Sequence, residues 1–168
     1  MTGIEVRLVA ANELSTLLWR ERELLEMLLF KLEEEQLLLT AGKSRWIQFA
    51  TREVEQVLDR LRTTGLGRAV EVAAVADEWG APEDATLREL IGHAPAGPWG
   101  DIFTEHLRVM TKLTEEIAQL RNANEQYLRA AMRATQETIA GLNVETGVYT
   151  SHGDTSRDDS ARLIDTEL

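Results

Sequence analysis

The chain has 168 residues, long enough for one domain with a useful core and short for two large ones. Apolar residues make up 43% and charged residues 28%, which excludes global disorder; the formal net charge of -11 argues against nucleic acid and against insertion into an anionic membrane. With no cysteine, disulfides, thiolate metal sites and thiol catalysis are excluded. Aromatics are only 5%, and the abundance of Leu, Ala, Glu and Arg favours long helices over sheets. The first residues show no basic segment followed by an apolar stretch and a small-residue cleavage site, and no apolar run approaches the length of a membrane span. A cytoplasmic location is therefore expected.

In chain order, the first predicted helix covers about 10–40. Leu14, Leu18, Leu25, Leu28, Leu32 and Leu39 step by heptad intervals, with Glu21 and Glu35 as interruptions. Leu17, Leu24 and Leu29 widen the apolar face enough to take a third helix. The acidic run Glu33-Glu34-Glu35 reads as a solvated face. Ala41-Gly42 ends this helix, and a second starts near Lys43 with Ile47, Ala50, Val54, Val57 and Leu61 on one face. So short a break makes the pair an antiparallel hairpin. Gly65 and Gly67 loosen the chain, leaving open whether 65–79 continues the second helix after a kink. Gly65-Leu66-Gly67 is half of a nucleotide-binding fingerprint, but no strand precedes it.

Pro82 suits a first helical turn, and 86–91 has room for one or two turns of helix. Pro95, Gly97 and Pro98 make 92–100 a loop. The last long helix is predicted from an N-cap at Asp101 to about Leu142, with Met110, Leu113, Ile117, Leu120, Asn124, Tyr127 and Ala131 in heptad rhythm. Its second half turns to small residues (Ala130, Ala131, Ala134, Ala140), and Asn124 sits on the seam, where an amide costs stability but sets register. Beyond Gly141 the periodicity stops. The expected organisation is an all-α bundle over 1–142, with three main helices and a short extra one. A flexible acidic tail over 143–168 has Val148-Tyr149 and Leu163-Ile164 as its apolar anchors.

Chemistry is hard to find. His93, His106 and His152 fall in a loop, a helix start and the tail, with no metal-ligand spacing, so no metal and no cofactor are expected. Neither Ser44 nor Ser151 sits in a nucleophile elbow, and the carboxylates fall at salt-bridge intervals; no catalytic residue is assigned. What remains is helix surface for binding. The small-residue half of the last helix leaves a groove for an apolar helix from another protein, unless the second helix or a second copy of the chain covers it.

Several segments, taken in order, resemble one family. They are Leu37-Leu38-Leu39-Thr40-Ala41-Gly42; Glu53, Val54, Val57 and Leu58; Arg68-Ala69-Val70; Thr86-Leu87-Arg88-Glu89-Leu90; Arg121 to Leu128 with its Asn pair; and Gly147-Val148-Tyr149 with Gly153. Their joint order resembles the FlgN-like flagellar secretion chaperones. The resemblance implies a type III export chaperone, not an enzyme. Its clients are the hook-associated proteins that join hook to filament, held by their terminal helical segments and delivered to the flagellar export gate. It places partner binding on the late helix and C-terminal region, here Asn124, Tyr127, Leu128, Ala131, Met132, Thr135, Ile139, Leu142 and Tyr149. On this reading the tail covers the groove or orders on contact with a partner. Two other readings stay open: a self-assembling coiled-coil scaffold, of which a homodimer is the smallest form, and a regulator that sequesters a cytosolic factor.

Overall fold

In a computed structural model the backbone is described for residues 3–148 and the side chains for residues 9–142. The described chain is all helical: α1 (Gly3–Thr40), α2 (Ser44–Trp79), α3 (Leu87–Gly92) and α4 (Trp99–Val148). It divides into two compact units, Met1–Leu128 and Arg129–Leu168. The all-α class with three main helices and one short one is as expected.

Cross-helix pairs fix the directions within the first unit. Glu21 meets Arg68, Lys31 meets Glu53 and Glu35 meets Thr51, so α2 runs antiparallel to α1. Arg22 meets His106 and Leu32 meets Asn124, so α4 runs parallel to α1. The α1–α2 turn closes as a Schellman motif, with Gly42 at φ 65 and the Lys43 amide donating to the Leu38 carbonyl at 2.9 Å. Only glycine reaches that left-handed backbone cheaply, which is why the helix stops there. Gly80 repeats the device at the end of α2, at φ 70. Between the two turns α2 is unbroken; Gly65 and Gly67 lie inside it without positive φ.

Several boundaries differ from expectation: α1 starts at Gly3 rather than near residue 10, and three others follow. Pro82 lies in the turn before α3, whose N-cap is Thr86: its Oγ accepts from the Glu89 amide while the Glu89 carboxylate accepts from the Thr86 amide. Asp101 is not an N-cap but a first-turn residue of α4, because the Ile102 amide already donates to the Pro98 carbonyl at 3.0 Å. At its other end α4 continues to Val148, past the expected limit at Leu142.

The core has two parts. One gathers Ala11, Leu14, Leu18 and Leu25 of α1, Val72, Val75 and Ala76 of α2, Leu90 of α3, and Phe103, Met110 and Leu113 of α4. Fully buried Phe103 lies between Trp79 and Trp99, with ring centroids 5.6 Å away on each side. The tryptophans around the Pro/Gly loop thus seal the end of the bundle where α2, α3 and α4 meet. The other part packs Leu24, Leu28 and Leu32 against Val54 and Val57, with Ile117 and Leu120 of α4 at its edge.

The leucine stripe of α1 is not interrupted at its glutamates. Glu21 and Glu35 are buried with it, so the reading of Glu33-Glu34-Glu35 as a solvated face is corrected at Glu35; Glu33 is exposed, and Glu34 is half-buried on Lys31. Burial of a carboxylate is costly unless its oxygens find donors; both Glu35 oxygens find them on other helices, whereas Glu21 has a donor on one oxygen and its Oε2 has none among the described residues. Glu21 accepts from Arg68 at 2.9 Å, and burial still pushes its carboxyl up against the opposing pull of the Arg68 charge.

Candidate partner-binding surface

The nine sequence-predicted site residues fall into three groups. Asn124 is a core residue, 2% exposed. Its Nδ2 donates to the Leu32 carbonyl at 2.9 Å and to Glu35 at 3.1 Å, and the other Glu35 oxygen accepts from Thr51 at 2.8 Å. One amide and one carboxylate thereby tie α4, α1 and α2 together at a single height, and slipping α4 along α1 would break both Asn124 bonds. The Asn124 Oδ1 has no partner among the described residues. Its placement assigns it to register, the role an amide on a helix seam can fill.

Tyr127 and Leu128 follow at the end of the first unit. Tyr127 is 46% exposed. Leu128 is half-buried on the wall of a groove of about 290 Å³ whose apolar lining is Leu28, Leu32, Val54, Leu58 and Ile117.

In the second unit Ala131, Met132, Thr135, Ile139 and Leu142 all lie on α4, and every described side chain from 129 to 142 is exposed. Two stripes run along this stretch. Ala131, Ala134, Thr138 and Gly141 form a small-residue stripe; Met132, Thr135, Ile139 and Leu142 step by three, four and three and form a larger apolar one. Thr135 and Thr138 turn their hydroxyls back onto the carbonyls four residues earlier, at 3.0 Å and 2.9 Å. That satisfies the hydroxyls internally and presents their methyl groups outward, so the stripe is more apolar than its letters suggest. Met132, Ile139 and Leu142 are each more than half exposed. An exposed apolar stripe on a helix leaves apolar surface in water whose burial would be favourable. Tyr149 lies outside the described residues.

His106, the one buried histidine among the described residues, packs edge-on against Trp19 at 5.0 Å and takes an Arg22 Nη1 contact at 3.4 Å on Nδ1. Burial first and the neighbouring guanidinium second hold it below the ordinary imidazole range. Among the described residues no group of His, Asp and Glu is arranged to hold a metal ion, and no helix is long and apolar enough to cross a membrane.

Sequence reasoning missed the buried roles of Glu21 and Glu35. It also missed an aromatic patch at the α1–α2 turn, where Leu37, Trp46 and Phe49 are exposed. The missed signal was the spacing from Trp46 to Phe49, which sets both rings on the flank of α2 beside its buried Ala50–Val54–Val57 face.

No curated protein and no solved structure matches the chain. A family model described as FlgN protein matches residues 1–157, nearly the whole sequence and all four helices. With that match laid over a helical bundle whose last helix carries a bare apolar stripe, the chain belongs to the FlgN family, a family of flagellar export chaperones rather than of enzymes.

Proposed function

We propose that this protein is a cytoplasmic type III export chaperone for hook-associated flagellar proteins. It binds their terminal helical segments, keeps them unassembled and hands them to the export gate. Family membership supports the chaperone role. The observation that carries the binding mode is the exposed stripe of Met132, Ile139 and Leu142 on α4. A client's amphipathic helix would lay its apolar face on that stripe, with Ala131 and Thr135 permitting close approach of the two backbones and Tyr127 and Leu128 adding contacts. Asn124 enters this proposal through the first unit, where it holds α4 to α1. Tyr149 and the acidic tail join the contact in this proposal, and removing 143–168 would then change client affinity.

The energetics suit a cargo that must be released. Apolar burial drives association at about 25 cal/mol per Å², and ordering an unfolded client segment returns about 2–5 kcal/mol of it. Net affinity is therefore expected in the micromolar range or somewhat tighter.

The test is calorimetric titration with purified hook-filament junction proteins, full-length and lacking their C-terminal segments. Saturable binding that vanishes with those segments is the expected result. No heat and no co-elution with either form would overturn the proposal. Concentration-dependent self-association of the chain through the same stripe would then favour a scaffold.

A further inference from the structure

A second surface lies at the opposite chemical extreme from the acidic bulk of the molecule. Between Glu35 and Glu53 the sequence contains no Asp or Glu, yet it holds Lys43, Arg45 and Arg52, in a chain of net charge -11. The structure folds this stretch into the α1–α2 turn and its flanks. There Leu37, Leu38, Trp46, Phe49 and Ala50 line a groove of about 400 Å³. Leu37 is 69% exposed and Phe49 55%. Trp46 and Phe49 touch, with ring centroids 5.8 Å apart. The Arg45 guanidinium lies 4.6 Å from the Trp46 ring, and the Arg52 guanidinium 5.9 Å from the Phe49 ring.

Charge placement separates this patch from an ordinary surface. Two carboxylates do line the groove, Glu34 and Glu53; both pair with Lys31, at 2.7 Å and 2.8 Å, which offsets one of their two charges and leaves three cations against one net carboxylate charge around the groove. Lys43, Arg45 and Arg52 have no carboxylate partner among the described residues. The start of α2 adds to the same sign, since Lys43 supplies no side-chain cap and no acid lies in the first turn. Its leading amides therefore carry their partial positive charge uncompensated. Aromatic rings backed by arginines are also the residue types that dominate binding energy at protein interfaces.

We infer that this groove docks a short acidic amphipathic segment of another protein, whose apolar side chains enter between Leu37, Trp46 and Phe49 while its Asp or Glu side chains meet Arg45, Arg52 and Lys43. The cations would select for acid and speed encounter, and the aromatic groove would hold the segment. An anionic membrane surface shares part of this chemistry. The concave groove favours a peptide side chain over a flat lipid boundary, and the net negative charge of the molecule opposes approach to an anionic bilayer. This surface belongs to α1 and α2 and does not depend on the client reading of α4.

The experiment selects peptides from a displayed library of random 16-residue sequences on the full-length chain. Counter-selection uses the W46A/F49A/R45E/R52E variant, whose fold is verified by circular dichroism and melting temperature. The expected outcome is enrichment of sequences combining Asp or Glu with Leu, Ile, Phe or Trp. A labelled peptide of that set should lose at least tenfold in affinity to R45E/R52E, lose saturable binding to W46A/F49A, and bind more weakly as salt is raised. M132S/I139S/L142S should bind it as the parent does. No enrichment over the variant, or enriched sequences without an acidic excess, overturns the inference. So does binding to vesicles containing phosphatidylserine without any peptide enrichment, which would make the patch a lipid contact. Concentration-dependent dimerisation abolished by W46A/F49A, again without enrichment, would make it a self-association face.

Discussion

At the scale of single residues, stability rests on a few polar groups whose partners lie on another helix. Asn124 illustrates the asymmetry between making and breaking such bonds. Truncation to Ala would leave one Glu35 oxygen without its donor in the core and remove the second bond on the Leu32 carbonyl, which keeps its helical amide. The expected loss is about 1–3 kcal/mol, read by urea denaturation. The pair N124L/E35L should recover much of that loss, since it removes both polar partners and extends the leucine stripe. If N124A melted like the parent, the register role of Asn124 would be wrong. Arg68 is the companion case. Removing it as R68A leaves Glu21 buried without its cation, at an expected cost of about 1–3 kcal/mol at neutral pH. Part of that cost should return on acidification, because protonation relieves the unpaired charge. An R68A deficit that did not shrink between pH 8 and pH 5 would show that the Glu21 carboxylate has found another donor.

At the scale of elements, α4 serves two purposes along its length. Its first part is held by Phe103, His106, Met110 and Leu113 in the core, whereas its described side chains from 129 to 142 are exposed. Substitutions in the two parts should therefore read out differently. F103A is expected to cost about 3–5 kcal/mol of stability. The triple variant M132S/I139S/L142S should leave the thermal melt of the chain nearly unchanged yet weaken client binding at least tenfold in calorimetry. A large drop in melting temperature for the triple variant would mean that the stripe is already covered within the protein or by a second copy. The hairpin itself was legible from sequence, because the heptad leucines of α1 and the Ala41-Gly42 stop are local signals. The start of α4 was not, because Asp101 is a good cap by type, while the first helical hydrogen bond is set by the Pro98 backbone. Nor were Glu21 and Glu35, because periodicity scores a carboxylate as a break. Their partners Arg68 and Asn124 stand 47 and 89 residues away in sequence, a distance no local pattern spans. The candidate site was legible as a stretch of small residues on α4, but exposure had to come from the structure. Asn124 and Leu128 precede that stretch on the same helix and are turned inward to different degrees.

For the whole molecule, two buried titratable groups pull stability in opposite directions with pH. His106 is held below its ordinary value of 6.5, by burial first and Arg22 second. The folded state therefore binds its proton more weakly than the unfolded chain does. Its contribution is complete above about pH 6.5 and is lost as pH falls toward the folded value. Glu21 is raised above 4.5 by burial, partly offset by Arg68, so the folded state binds its proton more tightly. Ionising it costs stability as pH rises from about 4.5 through the folded value, and acid relieves that cost. The opposed slopes are expected to flatten the net profile of the parent on the acid side of neutrality and to separate in variants. H106Q removes the histidine step, so the parent should lose stability relative to H106Q as pH drops below 6.5. E21Q removes the carboxylate step, so the parent should gain stability relative to E21Q as pH drops through the folded value toward 4.5. Melting temperatures of the three proteins from pH 4.5 to 8 decide the matter, since the two difference curves must slope in opposite senses. Parallel curves would mean that neither group changes its proton affinity on folding, and that the Trp19–His106 and Glu21–Arg68 contacts are looser in solution than their geometry implies.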